Sequence, residues 1–507
     1  MTLWLLGGVV AAILLVAVYD IFQRKHAILR NFPVIGHFRY WFEAVGPELR
    51  QYIVTGNDEE RPFSRDQRRW VYATAKGENS YFGFGSDNDI SRSSNYIILK
   101  PVSFPLSGGP AADLPTHPLP TAKILGGARN RAKAFRPKSV VNVSGMSFGS
   151  LSGAAVKAIN VGCKSADCLQ NTGEGGVSLH HGHGGELVWQ IGTGYFGCRD
   201  SNGNFSKERL VDLVSSHSAV RAIEIKLSQG AKPGIGGILP GAKVTKDIAA
   251  ARGVPVHTDC ISPAKHSAFH DADSLLDFVE DIAETTGLPV GIKSAVGDLS
   301  LWHDLAVNMA SGSRGIDFLT IDGGEGGTGA GPLVFADHVA LPFRLAFSRV
   351  YKIFAEHGIT ERIVFNGSGK LGFPETAMVA FALGCDMVSV AREPLLAIGC
   401  IQSQKCHTGH CPTGITTHNR WLVRGLDPTL KSVRLAHYMI TLRKEIVRLS
   451  HAMGVSHPSL ATTESIEILN GDMQSRSLAE ISGYGNGTKH ISETTRRETN
   501  RLMENPA

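Results

Sequence analysis

The feature that most constrains the fold is a regular alternation of short apolar runs with stretches long enough for a helix, which begins near Ser139. Alternation of strand and helix predicts a parallel sheet, because each helical crossover returns the chain to the same edge. Eight units over roughly 250 residues match a (β/α)8 TIM barrel of the α/β class in number and length. The predicted strands are residues 140–143, 168–170, 222–225, 254–257, 289–292, 318–321, 362–365 and 387–390. A doubly wound open sheet is the alternative, but its G-x-G-x-x-G fingerprint does not follow the first run.

We predict four segments around this barrel. Residues 136–455 form the barrel domain, preceded by an N-terminal extension of helical and irregular structure, residues 26–135, which wraps the barrel. The boundary between them lies near residues 101–120, which are rich in Pro and Gly. Residues 1–25 form a transmembrane anchor, and residues 456–507 form a polar tail that we expect at the surface or partly disordered.

The anchor is predicted from an uncharged apolar stretch, residues 3–19. A membrane-spanning helix needs roughly 17–25 such residues. Arg24, Lys25 and Arg30 follow the stretch, and basic residues on that side predict that it stays in the cytoplasm. A cleaved signal peptide is the alternative, but it needs positive charge before the apolar stretch, where only two uncharged residues stand. We therefore expect a single pass of the inner (cytoplasmic) membrane, with the barrel on the cytoplasmic side.

Composition excludes some classes of protein. The net charge of +5 over 507 residues is too small to indicate a nucleic-acid partner. Eight cysteines in a chain of this length do not form a secreted disulfide framework, and they fit a reducing compartment with a dedicated metal site. Many of the 57 glycines stand in doublets after the apolar runs, as expected where backbone approaches a ligand closely.

Chemistry in such barrels lies at the carboxyl ends of the strands, and two lysines occur there. Lys226 follows the third predicted strand and Lys293 follows the fifth. A lysine that points into a barrel mouth is costly unless a charge meets it. Either lysine is a candidate to stabilise the negative N1–C2=O edge of a reduced flavin. The alternative is a buried structural ion pair with Asp322 or Glu174.

A phosphate site is predicted at the loops after strands seven and eight, the usual position in this fold. Gly367 and Gly369 offer backbone N–H donors there, and Arg392 adds a positive charge. The alternative is that the glycines only form tight turns.

A cysteine-containing loop, residues 399–414, follows the last strand. Thiolates are soft ligands that favour iron–sulfur clusters, zinc and Cu(I). Three thiolates in a loop closed by a proline resemble an iron–sulfur clamp, and three rather than four suggest a 3Fe–4S cluster. A zinc site completed by His407 or His410 is the alternative. The predicted metal ligands are Cys400, Cys406 and Cys411.

Several motifs occur together in one order. They are Ser-Gly-Met-Ser-Phe-Gly from residue 144, Asn-Thr-Gly-Glu-Gly-Gly from 171, Gln-Gly-Ala-Lys-Pro-Gly from 229, Leu-Pro-Gly from 239, Ile-Asp-Gly-Gly from 321 and Gly-Gly-Thr-Gly-Ala from 326. With the three cysteines, they make residues 142–436 resemble the FMN-binding synthase domain of glutamate synthase, in a short membrane-anchored form. The resemblance implies an oxidoreductase with FMN and a 3Fe–4S cluster. It also implies reductive amination of 2-oxoglutarate to L-glutamate through 2-iminoglutarate, with electrons entering through the cluster.

The resemblance places the glutamate and lysine of two motifs, and an arginine, in the substrate site. Lysine and arginine suit a dicarboxylate, and glutamate suits an ammonium or iminium. The predicted catalytic residues are Glu174, Lys226, Lys232 and Arg252. The predicted FMN-binding residues are Ser144, Met146, Ser147, Gln229, Lys293, Asp322, Gly323, Gly324, Gly367, Gly369, Ala391 and Arg392.

The chain also departs from the family. Ile235 and Ile238 stand where the family usually has Glu and Gln. The polar contacts of those side chains with the 2-oxo acid are therefore lost, and the alternative substrate is another 2-oxo acid or an amine. Residues 262–266 depart from a proline- and histidine-rich loop. No cysteine precedes Cys163, so we expect no glutamine amidotransferase domain with its Cys nucleophile. We therefore expect free or partner-supplied ammonia and electrons from ferredoxin or a reductase. A non-catalytic membrane-tethered electron-transfer subunit is a further alternative.

Overall fold

The computed structural model describes residues 2–504 apart from 24, 57–58, 80, 82, 84, 87, 109–114, 473, 486 and 490. Arg24 and residues 109–114 of the Pro- and Gly-rich segment therefore lie outside the described residues. The chain forms two compact units, Met1–Arg69 and Trp70–Ala507. The predicted segment boundaries stay predictions.

The first unit is helical. Its helices are Thr2–Phe22, Ala27–Asn31, Gly36–Leu49 and the π-helical turn Arg50–Val54, and the helix Arg65–Lys76 contains the division between the units. The stretch Trp4–Phe22 is long and apolar enough to cross a membrane, and a signal sequence has the same length and composition. The single-pass anchor therefore stays a prediction.

The second unit contains a closed barrel of eight strands. The strands run parallel, each beside the next in the chain, and the eighth pairs with the first, which closes the barrel. The predicted (β/α)8 barrel is confirmed. In chain order its strands are Val141–Val143, Gln170–Asn171, Leu187–Ile191, Val220–Lys226, Val290–Ser294, Phe318–Asp322, Val364–Ser368 and Met387–Val390.

One predicted strand was wrong and one real strand was missed. Residues 254–257 form an exposed loop, because Pro255 has no N–H for a ladder and a barrel strand is buried on both faces. The missed third strand, Leu187–Ile191, is completely buried but follows a long Gly- and His-rich segment that hid it. As a result, Lys226 ends the fourth strand and not the third.

Helices surround the barrel, and buried aromatic side chains fill the layer between helices and strands. The ring of Phe365, for example, meets Phe347, Tyr351 and Phe354 edge-on. The α-helices of this unit after Arg65–Lys76 are Gly153–Ser165, Lys207–Ser216, Lys246–Arg252, Ala272–Thr286, Ser300–Ser311, Leu333–His338, Phe343–Glu356, Pro374–Leu383, Arg392–Ala397, Arg420–Val423, Pro428–Ala452, Leu478–Ser482 and Glu493–Glu504.

Two small sheets lie outside the barrel. A two-stranded antiparallel sheet pairs Gly237–Leu239 with Cys260–Ser262. A three-stranded antiparallel sheet joins Tyr96–Leu99, Ile466–Leu469 and Ser475–Ser477, so part of the N-terminal extension pairs with the C-terminal segment.

The C-terminal segment is folded, in contrast to the surface or partly disordered tail that we expected. The Tyr484 hydroxyl donates to the Leu383 carbonyl at 2.9 Å. The Lys489 ammonium donates to three backbone carbonyls at 2.6–2.8 Å. The last helix, Glu493–Glu504, buries Thr499 and Met503. These anchors are single residues in a polar sequence, so composition did not reveal them.

Buried His457 joins the extension to the C-terminal segment and makes the stability of this junction depend on pH. Its Nε2 donates to the Pro120 carbonyl at 2.9 Å, and its Nδ1 accepts from the Ser459 amide at 3.1 Å. Burial lowers the pKa of His457 to about 4, whereas a histidine in the unfolded chain titrates near about 6.5. The unfolded state therefore binds the proton first, and stability is lost as pH falls from about 6.5 to about 4.

We expect the loss from His457 to reach about 3 kcal/mol of unfolding free energy. Urea unfolding of the wild type and His457→Gln at several pH values between 7 and 4.5 measures it, and the two free energies should converge as pH falls. The matched control His270→Gln, at an exposed position, should stay parallel to the wild type. Parallel profiles for His457→Gln would contradict the assignment.

Candidate active site

The carboxyl ends of the eight strands meet at one rim, and most predicted site residues follow these ends. Lys226 and Lys293 are register partners on the adjacent fourth and fifth strands, so their backbones lie side by side. The sixth strand ends at Asp322, and the loop after the second carries Glu174. Met146 lies half-buried in the loop after the first strand, and Ala391 caps the helix Arg392–Ala397.

A buried polar layer crosses the barrel interior, centred on Glu224 of the fourth strand. Glu224 Oε1 accepts hydrogen bonds from Asn171 Nδ2 and Gln190 Nε2 at 2.7 Å each. Its Oε2 accepts from the Thr320 hydroxyl at 2.6 Å. Asn366 Nδ2 in turn donates to that hydroxyl at 3.0 Å. Side chains two residues apart on a strand share a face, so Glu224 supports the position of Lys226.

Sequence reasoning missed this polar layer. Its members interrupt apolar runs at single positions, and we used those runs only to locate strands. The available signal was a polar residue inside an otherwise apolar run, as in Leu-Val-Trp-Gln-Ile from residue 187 and Ala-Ile-Glu-Ile from 222.

A buried ion pair links Lys226 to Glu174. Lys226 Nζ lies 3.0 Å from Glu174 Oε1 and donates to Gln229 Oε1 at 2.7 Å. Burial opposes ionisation of Glu174, but Lys226, Lys232 and Arg252 outweigh it and hold the pKa of this carboxyl below its usual range. Gly192 makes room for the carboxylate, because a Cβ there would stand 2.7 Å from Glu174 Oε2. Glu174 is therefore a carboxylate at neutral pH.

The ion pair opens into a pocket with about 360 Å³ of empty space, part of it open solvent. Lys232 also lines it, and burial lowers the pKa of this lysine despite the opposing effect of Glu174. Among the described residues, the Lys232 ammonium has no hydrogen-bond or ion-pair partner. The lining residues are Glu174, Thr193, Lys226, Leu227, Ser228, Gln229, Lys232, Gly234, Ile235, Gly236, Gly237, Ser262, Pro263 and Ala264.

Two predicted determinants of the substrate lie outside this lining. Arg252 Nη2 donates to the Phe148 carbonyl at 3.2 Å, and its guanidinium carbon stands 4.9 Å from the centre of the Phe196 ring. Ile238 is 68% exposed on the two-stranded sheet outside the barrel, whereas Ile235 lines the pocket. The structure thus brings Glu174, Lys226 and Lys232 together in the lining, and Arg252 acts on Glu174 from outside it. The predicted role of Arg252 stays a prediction.

A second buried pair lies on the adjacent strand. Lys293 Nζ is 3.5 Å from both Asp322 Oδ2 and Ser144 Oγ. Burial raises the pKa of Asp322, but Lys293 and the Gly230 amide outweigh it and keep the pKa below its usual value. The Gly230 amide donates to Asp322 Oδ2 at 2.9 Å, and a Cβ on Gly230 would collide with the Gly323 carbonyl.

The Lys293 environment fits a flavin. An ammonium has three donors, and here it makes only two long contacts, so it retains capacity for a strong acceptor. The N1–C2=O edge of a reduced flavin is an acceptor of that kind. The donor set at this end of the barrel therefore suits FMN.

The predicted phosphate-binding glycines make close backbone contacts. Gly367 lies inside the seventh strand, and a Cβ there would meet side chains of the helix layer. Gly369, at φ +131°, packs against Gly323. The amides of Gly323 and Gly324 donate to backbone carbonyls at 2.8 and 2.9 Å. The Arg392 guanidinium donates to the Glu325 carbonyl. Gly367 is therefore a closely packed strand residue and not part of a tight turn, and the phosphate site stays a prediction.

The cysteine loop follows the helix Arg392–Ala397. The Gln402 amide donates to Cys400 Sγ at 3.4 Å, and Cys411 Sγ lies 3.4 Å from the Thr413 hydroxyl. Within the part of the chain that the structure describes, no three His, Cys, Asp or Glu side chains are grouped closely enough to hold a metal ion. The 3Fe–4S cluster therefore stays a prediction.

Comparison with known proteins identifies the family. Residues 123–456 match the family model described as a conserved region in glutamate synthase. The chain is 36% identical over 468 residues to the glutamate synthase large subunit-like protein YerD of Bacillus subtilis, covering 86% of this chain and 88% of YerD. It is 33% identical to the archaeal glutamate synthase [NADPH] of Methanocaldococcus jannaschii, over 66% of this chain and 61% of that protein. The archaeal-type enzyme of Thermotoga maritima gives the same identity and coverage. The chain therefore belongs to the glutamate synthase family of oxidoreductases.

Proposed function

We propose that this chain catalyses reductive amination of a 2-oxo acid at a bound FMN, with ammonia that it does not generate itself. The observation that carries the proposal is the pocket in which Lys232, unpaired among the residues that the structure describes, faces the Lys226–Glu174 pair, beside Lys293 on the next strand. The family resemblance implies 2-oxoglutarate and L-glutamate as substrate and product, whereas Ile235 in the lining favours a less polar 2-oxo acid.

Each charged residue of the pocket has a separate role in imine formation. Lys232 binds the substrate carboxylate, since a cation without a partner gains most from that contact. Lys226 donates a hydrogen bond to the keto oxygen, which favours attack by ammonia at that carbon. As ammonia adds, Lys226 protonates the keto oxygen and Glu174 accepts the proton that the nitrogen releases. Glu174 then returns this proton to Lys226, which passes it to the hydroxyl, so that water leaves and the iminium forms.

FMN, when bound and reduced, supplies the two electrons that convert the imine to the amine. Ser144, Gln229, Lys293 and Asp322 are the described residues near this position that are suited to hold it. Lys293 provides the positive charge that favours the reduced, anionic form of the ring, and Asp322 fixes Lys293 in place through the 3.5 Å contact.

The remaining assignments rest on the sequence. We propose that Cys400, Cys406 and Cys411 bind a 3Fe–4S cluster, supported by their spacing, and that ferredoxin or a reductase delivers the electrons. We also propose that the N-terminal helix anchors the chain in the inner membrane with the barrel in the cytoplasm, supported by its length and the basic residues after it.

Replacement of Glu174 tests the proposed chemistry. Glu174→Gln keeps the shape but removes the proton acceptor, and we expect kcat for amino acid formation to fall about 10²- to 10⁴-fold. Bound FMN, measured by absorbance, should be unchanged. The control Glu208→Gln, on an exposed helix, should retain full activity. Full activity of Glu174→Gln would contradict the assigned role.

Replacement of Lys293 tests the flavin site. Lys293→Met removes the charge that stabilises the reduced ring, so we expect the two-electron potential of bound FMN to fall by about 30 mV or more, equivalent to about 1.4 kcal/mol. Anaerobic redox titration measures this shift. The matched control Lys207→Met, at an exposed site, should leave the potential unchanged, and the same result for Lys293→Met would refute the placement.

Iron content tests the cluster. Anaerobically purified protein should contain iron and sulfide and give the EPR signal of an oxidised 3Fe–4S cluster. Cys411→Ser should lose the iron and keep the flavin, whereas Cys198→Ser, a buried cysteine far from the loop in sequence, should keep both. Wild-type protein with flavin but without iron would show that the loop does not bind a cluster.

A further inference from the structure

The charge balance of the pocket limits the charge of its ligand. Three charged side chains line it: Glu174, Lys226 and Lys232. Lys226 and Glu174 lie 3.0 Å apart and compensate each other. Lys232 is left as the one lining cation whose ammonium makes no hydrogen bond or ion pair to any described residue. One unpaired cation matches one carboxylate.

The neutral polar groups of the lining are mostly engaged within the protein. The Thr193 hydroxyl donates to the Pro263 carbonyl at 2.7 Å. The Gln229 side-chain oxygen accepts from Lys226 at 2.7 Å, and the Ser228 hydroxyl lies 3.0 Å from that of Ser294. Among the described residues the Gln229 side-chain nitrogen has no hydrogen-bond partner, but it and the hydroxyls are neutral, so they offer no positive charge to a second carboxylate on the ligand.

Ser262 is the remaining polar residue of the lining, and the other members are apolar or glycine. A second carboxylate packed against Leu227 or Ile235 would lose water without gaining a cation, which is unfavourable. Arg252 is a further buried cation, but it lies outside the lining, where it donates to the Phe148 carbonyl and stacks on Phe196. The apolar lining side chains are Leu227, Ile235, Pro263 and Ala264.

We infer that the substrate is a 2-oxo acid with a single carboxylate and an apolar side chain, and that Ile235 selects it against dicarboxylates. This inference rests on the proposed reductive amination. In it, Lys232 binds the one carboxylate, the Lys226–Glu174 pair meets the keto group, and the ligand side chain packs against Ile235.

The test compares two acids that differ at one group. In 5-methyl-2-oxohexanoate an isopropyl group replaces the distal carboxylate of 2-oxoglutarate at nearly the same volume. Isothermal titration calorimetry of the full-length oxidised protein measures binding of each acid without turnover. We expect the apolar acid to bind at least about tenfold tighter, the discrimination expected for one mismatched group. Steady-state kcat/KM values with ammonia should follow the same order.

Two matched variants assign the selectivity to Ile235. Ile235→Arg supplies a second cation in the pocket and should shift the ratio of the two affinities toward 2-oxoglutarate by about tenfold or more. Ile261→Arg places the same side chain at a 60% exposed position of the two-stranded sheet, outside the lining, and should leave the ratio unchanged.

The outcomes separate the inference from the proposed function. Tighter binding of 2-oxoglutarate by the wild type, or equal affinities, would overturn the inference even if amino acid is formed. Tighter binding of the apolar acid without amino acid formation would support the substrate class and overturn the reductive amination. Failure of both acids to bind would overturn both.

Discussion

The structure depends on a buried carboxylate, Glu224, that ties the inside of the barrel together. An isolated charge in such a place is very costly, and Glu224 is compatible with burial because three strands send donors to it. Satisfied polar networks of this kind fix a single arrangement of their members. Lys226 stands two residues further along the same strand face, so this network also fixes the position of Lys226 at the rim.

Above that layer, two ion pairs on adjacent strands give the rim its chemical character. Lys226–Glu174 faces the pocket, and Lys293–Asp322 faces the position suited to a flavin. Each pair joins a strand end to a separate loop or strand, so each fixes the relative position of two elements. The 3.0 Å pair is compact and leaves Lys232 as the cation available to a ligand, while the 3.5 Å pair leaves Lys293 donors available to a cofactor.

Much of the fold could be predicted from the sequence, because barrel strands buried on both faces read as apolar runs between helix-length stretches. The prediction was wrong where an apolar run is not a buried strand, or where a buried strand does not follow a helix-length stretch. Residues 254–257 are apolar but contain a proline and lie in the open, and Leu187–Ile191 follows a segment without helical pattern. The folded C-terminal segment was missed because its anchors, such as Lys489, are polar residues whose partners are distant carbonyls.

The site was predictable to the extent that motifs mark strand ends. The lysines and carboxylates named from the sequence do meet, as Lys226 with Glu174 and Lys293 with Asp322. Tertiary packing, and no local sequence pattern, determines three further features. They are the contacts of the Arg252 guanidinium, the exposure of Ile238 and the hydrogen bonds of Glu224. The separation of Ile235 from Ile238 shows this well, because two neighbouring departures from the family have different surroundings.

The most direct test of the account is a single turnover under anaerobic conditions. The flavin of the full-length protein is reduced chemically, freed of excess reductant, and mixed with ammonia and a 2-oxo acid while its absorbance is followed. The account predicts reoxidation of the flavin with formation of one amino acid per flavin, and no reoxidation when ammonia is left out. A flavin that stays reduced with ammonia and every 2-oxo acid tried, or an amino acid yield unrelated to reoxidation, would contradict it.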